Sequence, residues 1–254
     1  MTAFLAWLRR DLHVALRNAP LLMGGLTQPI LVILVFGNLM PRLGLVPPDF
    51  AFVMVPGLMA ISVLMSGVQG LLMPLAADLS GTREVDERIL SPLPPLAVAL
   101  ERILAGAIQS SVTGLLALPI MLFLMSEVRG LNLTPDWMVL VPVVLCCGFL
   151  AAAFGLTLGT LVQPRYAGIL FSILLGPMML FGCAYYPWRA MDSMGLVQWL
   201  FCINPLVFIS EAMRACVTPE RPHMQGWMIF TGLVVYGSFF TWTGTRLFEK
   251  RTIS

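Results

Sequence analysis

Six stretches of this chain run with almost no charge over a length that suits a membrane: about 21–40, 53–77, 97–125, 138–162, 167–186 and 227–246. A helix of roughly 20 apolar residues crosses a hydrocarbon layer of about 30 Å. Short of a closed barrel, a helix is also the only element that can do so, because it satisfies every backbone N–H and C=O within itself. The surface needed to face water is missing as well: 58% of residues are hydrophobic and 11% charged, against roughly 25% charged in soluble domains. We therefore expect an all-α integral membrane protein whose residues 1–254 form a single transmembrane domain of six helices. No polar stretch is long enough for a separate soluble domain, and a net charge of +2 gives no reason to expect nucleic acid as a partner.

Orientation follows from arginine and lysine. With six spans both ends of the chain lie on one face, together with the segment 78–102 and the turn 163–166. That face carries Arg9, Arg10, Arg17, Arg83, Arg88, Arg102, Arg165, Arg246, Lys250 and Arg251, and the other carries Arg42, Arg129, Arg189, Arg214 and Arg221. The excess places both termini and the 78–102 segment in the cytoplasm, and the expected location is the cytoplasmic (inner) membrane. Residues 1–20 have a signature of their own. Phe4, Leu5, Leu8, Leu12 and Leu16 recur at helical spacing between Arg9, Arg10, His13 and Arg17, with Trp7 placed as an interfacial anchor. The pattern predicts an amphipathic helix lying on the membrane surface, ended by Pro20 and Gly24–Gly25 before the first span. The apolar run Leu21–Met40 exceeds the roughly 7–15 residues of a signal-peptide core, and no small-x-small cleavage site follows it.

Within the spans, Ala151, Gly155 and Gly159 make overlapping small-xxx-small steps that allow close helix approach. Pro29, Pro56, Pro74, Pro119, Pro142 and Pro177 predict kinked helices. Cys146, Cys147, Cys183, Cys202 and Cys216 fit no metal-ligand spacing and are expected as small apolar residues; a bridge among the last three requires their loop to face an oxidising side. Between Tyr186 and Trp227 lie two apolar runs, Gly195–Ile203 and Leu206–Ala215, each too short to cross and too apolar for a solvated loop. They predict an external re-entrant helical hairpin at about 195–216. Asn204 would be the N-cap and Pro205 the first residue of its second helix, and Glu211 and Arg214 would pair on one face.

The densest polarity is at Asp78–Arg102, which holds eight of the chain's 15 basic and 13 acidic residues. Thr82 can cap a helix at about 82–91 with Glu84 and Asp86 in its first turn, where acids suit the helix dipole. Val85 and Ile89 form an apolar ridge, and Ser91-Pro92 stops the helix. Such an element can dock a cytosolic partner or simply seal the end of the bundle. Enzymatic alternatives find little support. His13 and His223 are the only histidines, no G-x-S-x-G or H-E-x-x-H occurs, and the sole lysine, Lys250, lies in no P-loop. Asp78, Glu84, Asp86 and Glu87 could hold Mg2+ for a lipid-pyrophosphate transferase, but the interleaved Arg83 and Arg88 suit a solvated helix better.

Four stretches carry a family resemblance. GTREVDERILSPLPPLAVALERILA resembles the cytoplasmic coupling-helix region of type-2 ATP-binding-cassette exporter permeases. FGCAYYPWRAMDSMGLVQWLFCINPLVFISEAMRA resembles the aromatic–Pro turn and external hairpin of the same family, and FGNLMPR and VPGLMAISVL fit its first and second spans. Together they extend over essentially the whole chain, in order; Cys183 departs from the small or hydroxyl residue expected there. The resemblance is to permeases of drug-efflux and nodulation-factor-like lipo-oligosaccharide exporters. It implies a permease, not itself an enzyme, that forms a homodimer or heterodimer and pairs with two separate ATPase subunits, which carry the ATP and Mg. Arg83, Glu84, Asp86, Glu87, Arg88 and Ile89 would meet the ATPase, with Arg9 and Arg10 of the surface helix as a second contact. No cofactor is expected in this chain, and membrane lipids surround it. Gln28, Asn38, Gln69, Gln109, Phe181, Tyr185 and Tyr186 are candidates to line a route for an amphipathic, lipid-like or hydrophobic cargo, although the amides serve equally well as interhelical hydrogen bonds. The competing reading is a stand-alone secondary carrier or channel. Such proteins place ionisable groups at mid-membrane, and these spans have almost none.

Overall fold

The computed structural model describes residues 2–17, 19–47, 50–77, 94–125, 133 and 135–253. Within them the chain is helical throughout, with turns and 3-10 segments between the helices. Helix α1 (Thr2–Arg17) is followed by α2 (Ala19–Val32), which continues as a π-helical stretch Ile33–Leu39 and a last turn Met40–Arg42. Then come α3 (Phe50–Ala77), α4 (Pro95–Leu124), α5 (Trp137–Leu161), α6 (Ala167–Leu180), α7 (Leu196–Phe201), α8 (Pro205–Val217) and α9 (Gly226–Ile253). Leu22–Arg42, Phe52–Ala76, Pro95–Leu124 and Trp137–Leu161 are long and apolar enough to cross a membrane.

Helix α3 is the axis of the bundle. It packs against α2, α4, α5 and α8, and from Met54 to Val68 it is buried almost without interruption. Small residues bring its neighbours close. A Cβ placed on Gly67 would lie 2.7 Å from the Ala151 Cβ, and one on Gly155 would lie 2.8 Å from the Gly67 carbonyl oxygen. The Ala151/Gly155 steps of α5 thus form its seam with α3, where dispersion between closely packed backbones replaces the hydrophobic effect that lipid does not supply. The outside of the bundle is apolar as well: Leu31 on α2, Leu39 on the π-helical stretch that continues it, Ile169 and Ile173 on α6, and Phe230, Val235 and Trp242 on α9 are all exposed. In water such a surface would aggregate; in a bilayer it faces its own solvent.

Several local expectations are refined. Helix α1 is amphipathic, with Phe4, Trp7, Leu8 and Leu12 half-buried, Ala15 buried, and Arg9, Arg10, His13 and Arg17 exposed. It packs on α4. The Arg10 guanidinium covers the Trp7 ring at 5.0 Å. Gly24 and Gly25 do not break the chain, since α2 begins at Ala19 and runs through them. They are contact points instead: a Cβ on Gly25 would meet Ser66 at 3.0 Å and Thr113 at 3.1 Å. Pro20 falls in the first turn, where its missing N–H costs nothing. The segment 167–186 is a helix only as far as Leu180. Its 14 residues span about 21 Å, and the chain then turns through Cys183 in the left-handed region at φ 53°. Asp136 caps α5 by accepting a hydrogen bond from the Met138 N–H at 3.0 Å, and Arg251 near the end of α9 donates to the Val162 carbonyl at 3.0 Å. All five cysteines are free.

Candidate functional site

Helix α8 begins where the sequence places its signals. The Asn204 side chain accepts from the Leu206 N–H at 3.0 Å, with Pro205 as the first helical residue. The same amide donates to the Met178 carbonyl at 2.7 Å. Because α6 stops at Leu180, that carbonyl has lost its partner within the helix, and Asn204 supplies one. One side chain therefore caps a helix start and a helix end together.

Although α8 carries two charges, nearly all of it is buried. Arg214 Nε lies 3.2 Å from Glu211 Oε1, with side-chain exposures of 1% and 0%. Arg214 Nη1 donates to the Val53 carbonyl at 2.7 Å, and Nη2 donates to the carbonyls of Cys183 at 2.9 Å and Tyr186 at 3.3 Å. Glu211 Oε1 also accepts from the Trp188 N–H at 3.0 Å, and Oε2 accepts from the Met224 N–H at 2.6 Å. Charges removed from solvent are tolerable only when paired and hydrogen-bonded in this way. The pair ties together four chain segments: the start of α3, the turn after α6, α8 itself, and the lead-in to α9.

Around this cluster the chain is locked by further polar contacts. Ser210 donates to the Gly182 carbonyl at 2.6 Å. Trp188 and Gln198 exchange hydrogen bonds, the indole N–H to the Gln198 carbonyl at 3.3 Å and the amide to the Trp188 carbonyl at 3.0 Å. Tyr236 of α9 donates to the carbonyls of Cys202 and Ile203 at 2.8 and 2.9 Å, closing the end of α7. The left-handed Cys183 turns its carbonyl into the cluster, a conformation that costs a non-glycine residue about 1–2 kcal/mol and that the Arg214 hydrogen bond offsets. A Cβ on Gly57 would fall 1.7 Å from the Ala184 carbonyl oxygen, so only glycine lets α3 approach this turn. Sequence reasoning finds the i,i+3 pair and the cap. It misses Val53, Cys183, Tyr186, Trp188 and Met224, which contribute backbone groups and so leave no mark in side-chain type.

The seven residues considered for a cargo route do not converge on one cavity. Gln28 donates to the Met179 sulfur at 3.1 Å, joining α2 to α6, and Asn38 donates to the Leu124 carbonyl at 3.3 Å, joining the π-helical stretch to α4. Gln69 packs on Gly24 and Gln109 on Gly70. Beside them, the Ser66 and Thr113 hydroxyls are bonded at 2.9 Å. The amides thus lie at four different helix seams. The Gln109 amide nitrogen is buried with no hydrogen-bond partner. Phe181 is exposed, and its ring lies 5.6 Å from Phe201. Tyr185 is half-buried, and Tyr186, also half-buried, donates to the Leu180 carbonyl at 2.7 Å. Arg83, Glu84, Asp86, Glu87, Arg88 and Ile89, with Asp78, lie outside the described residues. Arg9 and Arg10 are exposed on α1. Among the described residues, buried charge is confined to Glu101, Arg102, Glu211 and Arg214.

An all-helical bundle that is apolar on its outside, with helices long and apolar enough to cross a bilayer among the described residues, is an integral membrane protein. The chain belongs to the ABC-2 type transporter family, whose family model matches residues 2–217. Comparison with curated proteins gives no match. Membership makes the chain a membrane-embedded permease subunit of an ATP-binding-cassette transporter, a class that works with ABC ATPase subunits.

Proposed function

We propose that this permease exports an amphipathic, lipid-like or hydrophobic small molecule, or a lipid-linked saccharide, from the cytoplasm. It would act as a homodimer or heterodimer driven by two ATPase subunits that carry the ATP and Mg. In this reading α2 to α6 and α9 are six spans of the inner membrane, both termini are cytoplasmic, α1 lies on the cytoplasmic surface, and α7–α8 form an external hairpin that dips into the bilayer. Residues at about 82–91 form the coupling helix that enters a groove of the ATPase, with Arg9 and Arg10 beside it. The Glu211–Arg214 cluster, with Asn204 and Pro205, makes the external hairpin one rigid piece with the start of α3, so that motion of α3 carries the hairpin with it.

The observation that carries the reading is the family match over residues 2–217. The distribution of charge supports it. Secondary carriers couple to ions through buried ionisable groups at mid-membrane. Among the described residues the interior around Gln69, Gln109, Ser66 and Thr113 offers only neutral amides and hydroxyls, so the driving force is better sought in a separate motor. The test is the variant E84K/D86K/E87K/R88E, co-purified with the ATPase and reconstituted in liposomes. The variant should insert and dimerise normally while losing cargo-stimulated ATP hydrolysis and the ATP-dependent translocation of a fluorescent phospholipid analogue. Stimulation equal to wild type would refute the coupling role. Translocation driven by an ion gradient without the ATPase would favour a secondary carrier.

A further inference from the structure

Between α6 on one side and α5 and α9 on the other lies an apolar crevice of about 830 Å3, bounded at its outer end by α7. Its walls include Phe154, Leu158, Leu174, Phe181, Leu200 and Phe240. Leu161, Val197 and Phe239 in its lining are exposed, so it opens sideways. Its polar side chains are already spent. The Thr157 hydroxyl is bonded to the Phe240 carbonyl at 2.9 Å and the Thr243 hydroxyl to the Phe239 carbonyl at 2.8 Å, while Asn204 is engaged by Leu206 and Met178. What the walls offer is hydrocarbon. On α9 the lining residues Phe239, Thr243 and Leu247 recur every four residues, the spacing of one helix face, and Arg251 is the next in that row. Its Nη1 donates to the Val162 carbonyl at 3.0 Å, one residue past Leu161, where the lining on α5 ends. The rows on α5 and α9 therefore meet at a guanidinium. Lys250, its neighbour in the chain, is exposed, and so is Arg165, whose guanidinium stands over the Tyr166 ring at 4.7 Å. Arg246 faces Glu249 at 4.0 Å. Among the described residues no carboxylate comes within that distance of Arg165, Lys250 or Arg251.

We propose that this crevice holds an acyl chain of one cytoplasmic-leaflet phospholipid whose anionic headgroup sits at Arg251, Lys250 and Arg165. The inference rests on the membrane placement of α5, α6 and α9 given above, but not on the identity of the cargo. Length agrees with a lipid of one leaflet. The stretch of α9 from Phe239 to Arg251 rises about 18 Å, and half of a hydrocarbon core of about 30 Å is about 15 Å. A chain that begins at the guanidinium thus ends near the bilayer centre, where the row begins. Charge selects the headgroup. Arg251 gives one N–H to Val162 and keeps others, and guanidinium groups match phosphate oxygens in a fork. Lys250 and Arg165 add positive charge at the same level, where basic residues attract anionic lipids of the inner leaflet. A soluble anion would occupy the mouth and leave the crevice empty. An uncharged lipid would fill the crevice and leave the cations unused. An anionic phospholipid uses both.

The test uses the permease–ATPase complex in nanodiscs, photolabelled with phosphatidylglycerol or phosphatidylcholine carrying a diazirine on one acyl chain. Crosslinks are mapped by mass spectrometry to α5, α6 and α9. Phosphatidylglycerol should label the crevice roughly five- to thirtyfold more, as one or two basic contacts to an anionic headgroup provide. R165Q/K250Q, at two exposed positions, should lower that preference about fivefold while leaving the Arg251–Val162 contact in place. R165Q/K250Q/R251Q should bring labelling down to the phosphatidylcholine level. L161W, which sets an indole at an exposed point of the lining, should reduce labelling by both lipids. Excess glycerol 3-phosphate at constant ionic strength should not compete. Equal labelling by the two lipids, undiminished preference in the triple variant, undiminished labelling in L161W, or full competition by glycerol 3-phosphate overturns the proposal. None of these readouts depends on ATP hydrolysis or cargo movement, so failure of the export reading leaves them intact.

Discussion

Replacing Arg214 by methionine tests how the buried pair holds the external end of the bundle. The methionine stem fills much of the same space but removes every N–H of the guanidinium. Glu211, fully buried, keeps the N–H groups of Trp188 and Met224 and loses its countercharge. The carbonyls of Val53, Cys183 and Tyr186 lose their donor. Breaking a buried ion pair by removing one partner costs about 3–5 kcal/mol, a large share of the 5–15 kcal/mol by which proteins are ordinarily stable. Unfolding of purified permease in mixed micelles, followed against SDS or temperature, should show a loss of that size. E211Q should also destabilise, and E211Q/R214M should cost less than the two single variants added, with a coupling of roughly 1–3 kcal/mol. Arg214→Lys should rescue only in part, because a point-like ammonium does not span three carbonyls on two segments. An R214M loss below about 1 kcal/mol, or strict additivity in the double variant, would refute the view that this pair binds four segments together.

Three further outcomes follow from the geometry. Gly57→Ala should displace the turn at Ala184 and lower thermal stability sharply, by about 1–3 kcal/mol or more. By contrast, Gly168→Ala, with nothing within 4 Å of the new Cβ, should be neutral or gain up to about 1 kcal/mol from helix propensity; equal effects would contradict the packing described. Asn204→Ala should cost about 1–2 kcal/mol, and Asn204→Asp less, since it keeps the cap on α8 and loses only the donation to Met178; no loss in Asn204→Asp would show the Met178 contact to be inert, and identical losses in the two variants would show the cap to be inert. Gly155→Leu should separate α5 from α3 and abolish assembly of a stable permease, measured as detergent-resistant monodisperse yield, whereas the same change at Gly176, which has no neighbour within 4 Å, should be tolerated.

Much of this architecture is legible in the chain. Long apolar segments and helical periodicity locate α1 to α5. Asn204-Pro205 marks the start of α8, and small residues at 151, 155 and 159 mark the α3–α5 seam, because each depends on local chemistry or short-range spacing. Gln28, Asn38, Gln69 and Gln109 are legible as polar residues in spans, but sequence cannot say which helix each faces, and the structure spreads them over four seams. The end of α6 at Leu180 is hidden because Phe181–Tyr186 carries no charge, while the Cys183 and Asn204 contacts that accompany its end have partners 31 and 26 residues away. Sequence by itself therefore determines that the protein is an α-helical membrane protein, and through its motifs the family to which it belongs. Tertiary structure alone decides that Arg214 closes on backbone carbonyls of two other segments, the start of α3 and the turn after α6. Backbone groups are the same in every residue, so which of them a buried charge will meet is set by packing and not by side-chain type.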